Sequence, residues 1–260
     1  MSYPELVQAW RDAGMAAGDT VLLHSNTWRT ASRLLKQRIR PEMPLLLQTF
    51  LDALGPEGTL LLPLFNFDFP NGVPFDMRST PSHMGALTEA ARKHPQAVRT
   101  GHPIYSFAVI GRQAPRFEGV DNFSGYGSDS PFAMLRHMGG KIASLDLADQ
   151  DSMTFFHHVE EMCAVPYRYH KVFEGQYTDR QGCTSMRRCG LYVRDLDRGV
   201  TTMVNPAGEM LWQHGLYRGE RPGVGSGLRV VDAQAMFAFV AEIIASGRAE
   251  GLLYRIEAPT

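Results

Sequence analysis

Through the first 165 residues, short wholly apolar runs alternate with stretches of helical periodicity, and this alternation limits the fold more than any other feature. Val21-Leu22-Leu23 and Leu60-Leu61-Leu62 have no polar residue on either face, so each predicts a strand covered on both sides. Residues 106–110 and 142–147 also read as strands. The segments between them read as helices. Ser2 with Glu5 forms a capping-box pattern ahead of Leu6 and Trp10, and Gly14 ends that helix. Residues 41–54 place Leu45, Leu46, Thr49, Phe50 and Ala53 on one face and stop at Gly55. Residues 82–94 carry Leu87, Ala90 and Ala91 at helical spacing. Ser130-Pro131 is an N-cap followed by proline, in a helix closed by Gly139-Gly140. The expected class is α/β, a mixed central sheet flanked by helices.

After residue 165 the character changes. Residues 169–177, 187–194 and 201–204 are short and punctuated by turns, which predicts added antiparallel strands. Asp232 caps a helix running to Ser246, with Ala235, Met236, Phe239, Val240 and Ile243 on its apolar face. Residues 252–256 read as a last strand, and the Gly- and Arg-rich residues 215–227 as a surface loop. The chain of 260 residues is expected to be one domain, within the size at which a single core still grows.

Composition narrows the function classes. Hydrophobic residues make up 44% and charged residues 20%, an ordinary globular balance. Twenty-six basic residues face 27 acidic ones, so the basic excess of a nucleic-acid binder is missing and no such partner is expected. The three cysteines are an odd number in a long chain, which argues for a reducing compartment over a disulfide framework. No basic stretch followed by an apolar run opens the sequence, so no signal peptide is expected. The longest apolar runs, 59–65 and 235–244, fall short of the ~20 residues of a membrane span. The expectation is a cytoplasmic protein with no membrane partner; assembly into homo-oligomers stays open.

Residues 151–161, read as one helix, carry the richest chemistry. His157–Glu160, His157–Glu161 and His158–Glu161 are all at pairing distance on a helix. Phe155, Phe156, Val159, Met162 and Cys163 mark the buried side. Met153 extends that side, so Glu160 projects between Met153 and Phe156 at the edge of the core. His157 is its nearest partner, and His158 and Glu161 point further towards solvent. Such a pair suits a general base, because a carboxylate fixes the tautomer of an imidazole that titrates near neutrality. A solvated helix with local His–Glu pairs explains the same spacing. His24 ends a buried strand, where α/β sheets collect ligands, or else simply caps it. His102 lies in Arg99-Thr100-Gly101-His102-Pro103, a tight loop in which Arg99 is placed to meet a phosphate. No H-E-x-x-H and no paired C-x-x-C supports a metal site, so no metal is expected. Cys163, on the apolar side, reads as packing. No P-loop is present, and Gly223-Val224-Gly225-Ser226-Gly227 is not followed by the helix a dinucleotide fingerprint requires.

Several of these pieces, taken in order, give the chain a family resemblance. Gly18-Asp19 leads into Val21-Leu22-Leu23-His24-Ser25, and Gly58-Thr59-Leu60-Leu61-Leu62-Pro63 is followed by Phe65, Phe67 and Phe69. Met84-Gly85-Ala86-Leu87-Thr88-Glu89 with Arg92 comes next, then Arg99, His102-Pro103 and Ser106. Gly127 with Ser130-Pro131, and Thr154 with His157 and Glu160, complete the set. The chain resembles the aminoglycoside 3-N-acetyltransferases, antibiotic N-acetyltransferases unrelated to the GNAT fold. The resemblance covers roughly residues 5–165 and fades through residues 166–182. It implies an acetyl-CoA co-substrate and a small-molecule amine acceptor on an amino sugar or aminoglycoside. It implies direct transfer, with His157 as general base, Glu160 as its orienting carboxylate, and Thr154 or backbone N–H groups steadying the oxyanion. It also implies that His24, Ser25, Asn26, Arg99, His102 and Ser106 shape the coenzyme A site. Residues 1–165 would hold the motifs, and 166–260 would complete the acceptor cleft.

Where the family has a second serine this chain has Asn26, and Leu64 stands for the usual threonine. The C-terminal part carries Arg180, Arg187, Arg188, Arg194, Arg198, Arg218 and Arg221, which favours an acceptor with few positive charges, such as a nucleotide-linked amino sugar, over a polycationic drug. A metal-dependent hydrolase built on the histidines, and a catalytically silent ligand-binding relative, are the alternatives.

Overall fold

The computed structural model describes residues 2–257. Its elements run α1 (Tyr3–Asp12), β1 (Thr20–Ser25), α2 (Trp28–Lys36), α3 (Met43–Leu54), β2 (Thr59–Pro63), β3 (Phe75–Asp76), α4 (Ala86–Arg92), β4 (Val98–Arg99), β5 (Phe107–Gly111), α5 (Pro131–His137) and β6 (Lys141–Leu145). Then follow α6 (Asp149–Ser152), α7 (Phe155–Met162), β7 (Arg168–Thr178), β8 (Thr184–Arg194), β9 (Val200–Thr202), α8 (Asn205–Gln213), β10 (Arg218–Gly219), β11 (Leu228–Asp232), α9 (Ala233–Ala245) and β12 (Tyr254–Ile256).

The main sheet has the order β10-β11-β6-β1-β2-β5-β4. Its centre is parallel, β1 pairing with both β2 and β6, and every outer pairing is antiparallel. This is the mixed, helix-flanked sheet that the alternation predicts. Strand residues alternate between two cores. Val21, Leu23, Leu60, Leu62, Ala143 and Leu145 pack with residues of α1, α3 and α4. Leu22, Leu61, Phe107, Val109 and Ile142 pack with residues of α5, α7, α8 and α9 on the other face. On the first face Trp10 stacks on Phe50 at 4.6 Å, and its Nε1–H donates to Thr49 Oγ1 at 2.8 Å. No helix among the described residues is long and apolar enough to cross a membrane.

The C-terminal strands are indeed antiparallel additions, but their size differs from the sequence reading. β7 and β8 pair over their whole length, from Arg168↔Arg194 to Thr178↔Thr184, as one long hairpin with β3 alongside. Polar residues interrupt the alternation because much of the hairpin is solvated on both faces, so periodicity understates its length. The Gly- and Arg-rich loop contains β10, which pairs with β11. Residues 254–256 pair with β9 instead of joining the main sheet. Helix α2 was not anticipated: only Thr30 and Leu34 of its nine residues are buried, too few to show a face.

Candidate active site

Residues 151–161 are two helices and not one. α6 stops at Ser152, Thr154 caps α7, and the Thr154 side chain makes no capping bond. From α7, Glu160 points fully inward with no exposed surface, and its Oε2 lies 2.7 Å from His157 Nδ1. That contact puts the ring proton on Nδ1, where it donates to the carboxylate, and leaves the Nε2 lone pair free. The His157 side chain keeps 19% of its surface exposed, so the ring bridges core and solvent. Tyr126 stands edge-on to it at 5.4 Å.

His158 corrects the sequence reading. It is wholly buried among Phe132, Phe155 and Phe237, and its Nδ1 lies 2.7 Å from the Tyr126 carbonyl, to which it donates. α7 packs against both α5 and α9, so the side expected to face solvent is covered. Glu161 is also mostly enclosed, and its Oε2 accepts from Ser124 Oγ at 2.7 Å.

Sequence reasoning missed Arg168. Its Nε lies 2.8 Å from the same Glu160 Oε2, and its side chain is 5% exposed. The chain turns back through Ala164, at φ 48°, and β7 then opens with Arg168 beside the carboxylate. No helical spacing reveals a partner that arrives on a strand. Burial pushes the Glu160 carboxyl up, but Arg168 and His157 outweigh it, and the net shift is downward. Burial and then Arg168 push His157 down, more than Glu160 pulls it up. The pair is therefore an ionised carboxylate holding a neutral imidazole.

The second locus lies at the C-terminal ends of β1 and β2, where the chain leaves the parallel centre for α2 and for the 83–88 segment. A cavity of about 620 Å³ opens there, lined among others by His24, Ser25, Asn26, Trp28, Met84 and Asp151. His24 is 4% exposed, and burial together with Arg229 pushes it down to about 3. His24 Nε2 and Ser25 Oγ have no hydrogen-bond partner, although both are buried. Trp28, by contrast, is 76% exposed at the first position of α2. Polar groups left unpaired beside a large cavity suit a ligand that brings its own donors and acceptors. Adjacent rings connect His24 to His157 through Phe65, Tyr105 and Tyr126, at centroid spacings of 6.3, 4.3, 4.8 and 5.4 Å.

The other sequence-derived residues lie apart from this cavity. His102 is fully buried. Its Nδ1 accepts from the N–H groups of Ile104 and Tyr105, and its Nε2 faces the Gly190 carbonyl at 3.3 Å. It fastens its loop to β8. Arg99 donates to the carbonyls of Met77 and Thr80, and its Nε to Ser106 Oγ at 3.3 Å; it borders a separate cavity of about 220 Å³. Ser106 is fully buried against Arg99 and the Leu64 carbonyl. These three join the 64–66 and 77–80 segments to β5 and β8.

Cys163 is partly buried, and burial followed by Glu160 pushes its thiol up, away from the nucleophilic thiolate. Among the described residues no group of three or more His, Cys, Asp or Glu is arranged to hold a metal ion. Four of the seven C-terminal arginines have acidic partners. Arg180 pairs with Glu118, Arg187 with Asp121, Arg188 with Glu174 and Arg221 with Glu209. This pairing lowers the local positive charge that would favour an anionic acceptor.

Comparison with known proteins places the chain in a family. The family model described as aminoglycoside 3-N-acetyltransferase matches residues 36–245. Aminoglycoside N(3)-acetyltransferase VIII of Streptomyces fradiae is 29% identical over 220 residues, which is 75% of this chain and 72% of the relative. The solved structure of AAC-IIIb with CoASH superimposes with a TM-score of 0.79 at 22% identity, covering 100% of this chain and 99% of that one. AAC-VIa bound to sisomicin gives a TM-score of 0.76 at 22% identity, over 96% of this chain and 99% of that one. With a match that covers most of the chain and includes the His157–Glu160 pair, the chain belongs to the aminoglycoside 3-N-acetyltransferase family, a family of N-acetyltransferases.

Proposed function

We propose that this protein transfers the acetyl group of acetyl-CoA directly to an amine of an aminoglycoside, with His157 as general base. The observation that carries the reading is the Nδ1–Oε2 contact of 2.7 Å, which orients a neutral ring and leaves Nε2 unprotonated. His157 Nε2 takes a proton from the acceptor amine as its nitrogen attacks the thioester carbonyl. Collapse of the tetrahedral intermediate breaks the C–S bond, and His157 returns the proton to the departing sulfur. Glu160 holds the ring in orientation and offsets the imidazolium charge that forms between the two proton transfers. Thr154, whose hydroxyl makes no capping bond, is the side chain nearest in sequence for steadying the oxyanion.

His24, Ser25 and Asn26 are assigned to the donor. The unpaired His24 Nε2 and Ser25 Oγ fit the amide and phosphate groups of coenzyme A, and the family membership and the CoASH-bound structure of the same fold support this. Arg99, His102 and Ser106 enter the proposal only as supports of the surrounding loops, because their polar atoms are largely engaged within the protein. Mixing the protein with acetyl-CoA and sisomicin or gentamicin should release free thiol. Thiol release with anionic amino sugars alone would overturn the acceptor, and no release with any amine would overturn the reaction. Trp28 at the cavity mouth should report donor binding by a change in indole fluorescence that is lost in Trp28→Phe.

A further inference from the structure

One oxygen of Glu160 is shared by two side chains, His157 and Arg168. His157 Nδ1 and Arg168 Nε lie 2.7 and 2.8 Å from Glu160 Oε2. The guanidinium is not held by the carboxylate alone. Its Nη1 donates to the Tyr192 carbonyl at 3.1 Å and its Nη2 to Thr202 Oγ1 at 3.2 Å, so β8 and β9 fix it independently of the pair. A lone buried carboxylate against an imidazole stabilises the protonated ring. A fixed cation on the far side of that carboxylate cancels much of the pull. The groups facing the ring and its carboxylate are Glu160 from α7, Arg168 and Tyr167 at the start of β7, Arg194 from β8, Tyr126 ahead of α5, and Cys163 beyond α7. Among the described residues, only Arg168 carries a fixed positive charge within contact distance of Glu160.

We propose that Arg168 is a positioning residue that sets the proton affinity of His157, letting Glu160 fix the ring's tautomer without holding the ring protonated. The inference deepens the proposed base role of His157, but it can be tested apart from that role. The direction in which His157 is pushed agrees with it: burial first, then Arg168, lower the ring, and Glu160 only partly restores it.

The test is the pH titration of the His157 ring by NMR in the free protein, alongside the pH profile of kcat/KM. Arg168→Gln keeps donor groups and removes the charge; Arg168→Lys keeps the charge and loses the fork. Arg168→Gln should raise the His157 midpoint and the acid limb of the profile together by about one pH unit or more, while Arg168→Lys leaves both close to the parent. An unchanged midpoint in Arg168→Gln overturns the inference. If Arg168→Gln does not fold, Glu160→Gln is compared with Glu160→Gln/Arg168→Gln, where no buried carboxylate is left unpaired. A higher midpoint in the double variant supports the inference, and equal midpoints overturn it. A shifted midpoint with an unshifted rate profile keeps the Arg168 assignment and removes the base role of His157.

Discussion

His24 and His157 are both histidines pushed below their ordinary proton affinity, yet their surroundings differ in kind. His24 has an unpartnered ring nitrogen beside a cavity of about 620 Å³ and, among the described residues, no carboxylate paired with it. His157 has a carboxylate at 2.7 Å, and that carboxylate has a guanidinium nitrogen at 2.8 Å. Burial alone therefore says nothing about role. An unsatisfied buried nitrogen on the wall of a cavity suits holding a ligand. A ring fixed in one tautomer with its second nitrogen free suits moving a proton.

The largest effect should separate the two. His157→Ala is expected to lower kcat by roughly 10²–10⁴-fold with donor affinity little changed. His24→Ala should instead weaken coenzyme A binding in calorimetry and lower kcat less. Equal losses of kcat in both variants would break the distinction. Glu160→Gln comes next. It leaves Arg168 buried without its counter-charge, a change that costs about 3–5 kcal/mol in comparable pairs, so chemical denaturation should show lost stability as well as lost turnover. Unchanged stability would mean that the ion pair at 2.8 Å contributes little.

A smaller effect concerns acid. Burial holds His24 near about 3, and His102 and His158 near about 4, all below the ordinary value of 6.5. The unfolded chain binds protons on these rings as pH falls below about 6.5, while the folded chain does not. Stability is thus fully present above that pH and is lost on descending towards pH 4, by up to about 1.4 kcal/mol per pH unit for each ring. Denaturation midpoints measured between pH 7 and 4 should show this slope, and His158→Phe should flatten it. A flat profile would show that the buried rings take up protons without cost. Smallest of all, Cys163→Ser should leave turnover within about twofold, because a thiol pushed up by burial is not expected to carry the acyl group. A large loss with a trapped thioester in mass spectrometry would replace direct transfer with an acyl-enzyme.

Legibility followed the range of the interaction. The two covered strands were plain in Val21-Leu22-Leu23 and Leu60-Leu61-Leu62, since strands covered on both faces leave no polar residue to confuse the pattern. Glu160 and its partner were legible because Met153 and Phe156 frame that carboxylate within one turn of His157. His158 was misplaced because a helical wheel shows one face, whereas α7 is covered by α5 and α9 as well. Arg168 was beyond reach: its position depends on the turn at Ala164 and on β8 and β9 holding the guanidinium. His102, Arg99 and Ser106 carried motif signals, but a motif does not say whether polar atoms face a ligand or the protein's own backbone.

The order of the main sheet also bears on how the chain is made. β6 lies between β1, which is synthesised long before it, and β11, which follows only after the hairpin, β9, α8 and β10. While the ribosome is still producing those segments, β6 presents an unpaired edge to the cell, and pairings between distant segments form slowly. A nascent chain halted before Leu228 would carry that bare edge, a template for joining a neighbouring chain. Expression yield should therefore respond more sharply to translation pauses in this stretch than to pauses after α9 has emerged.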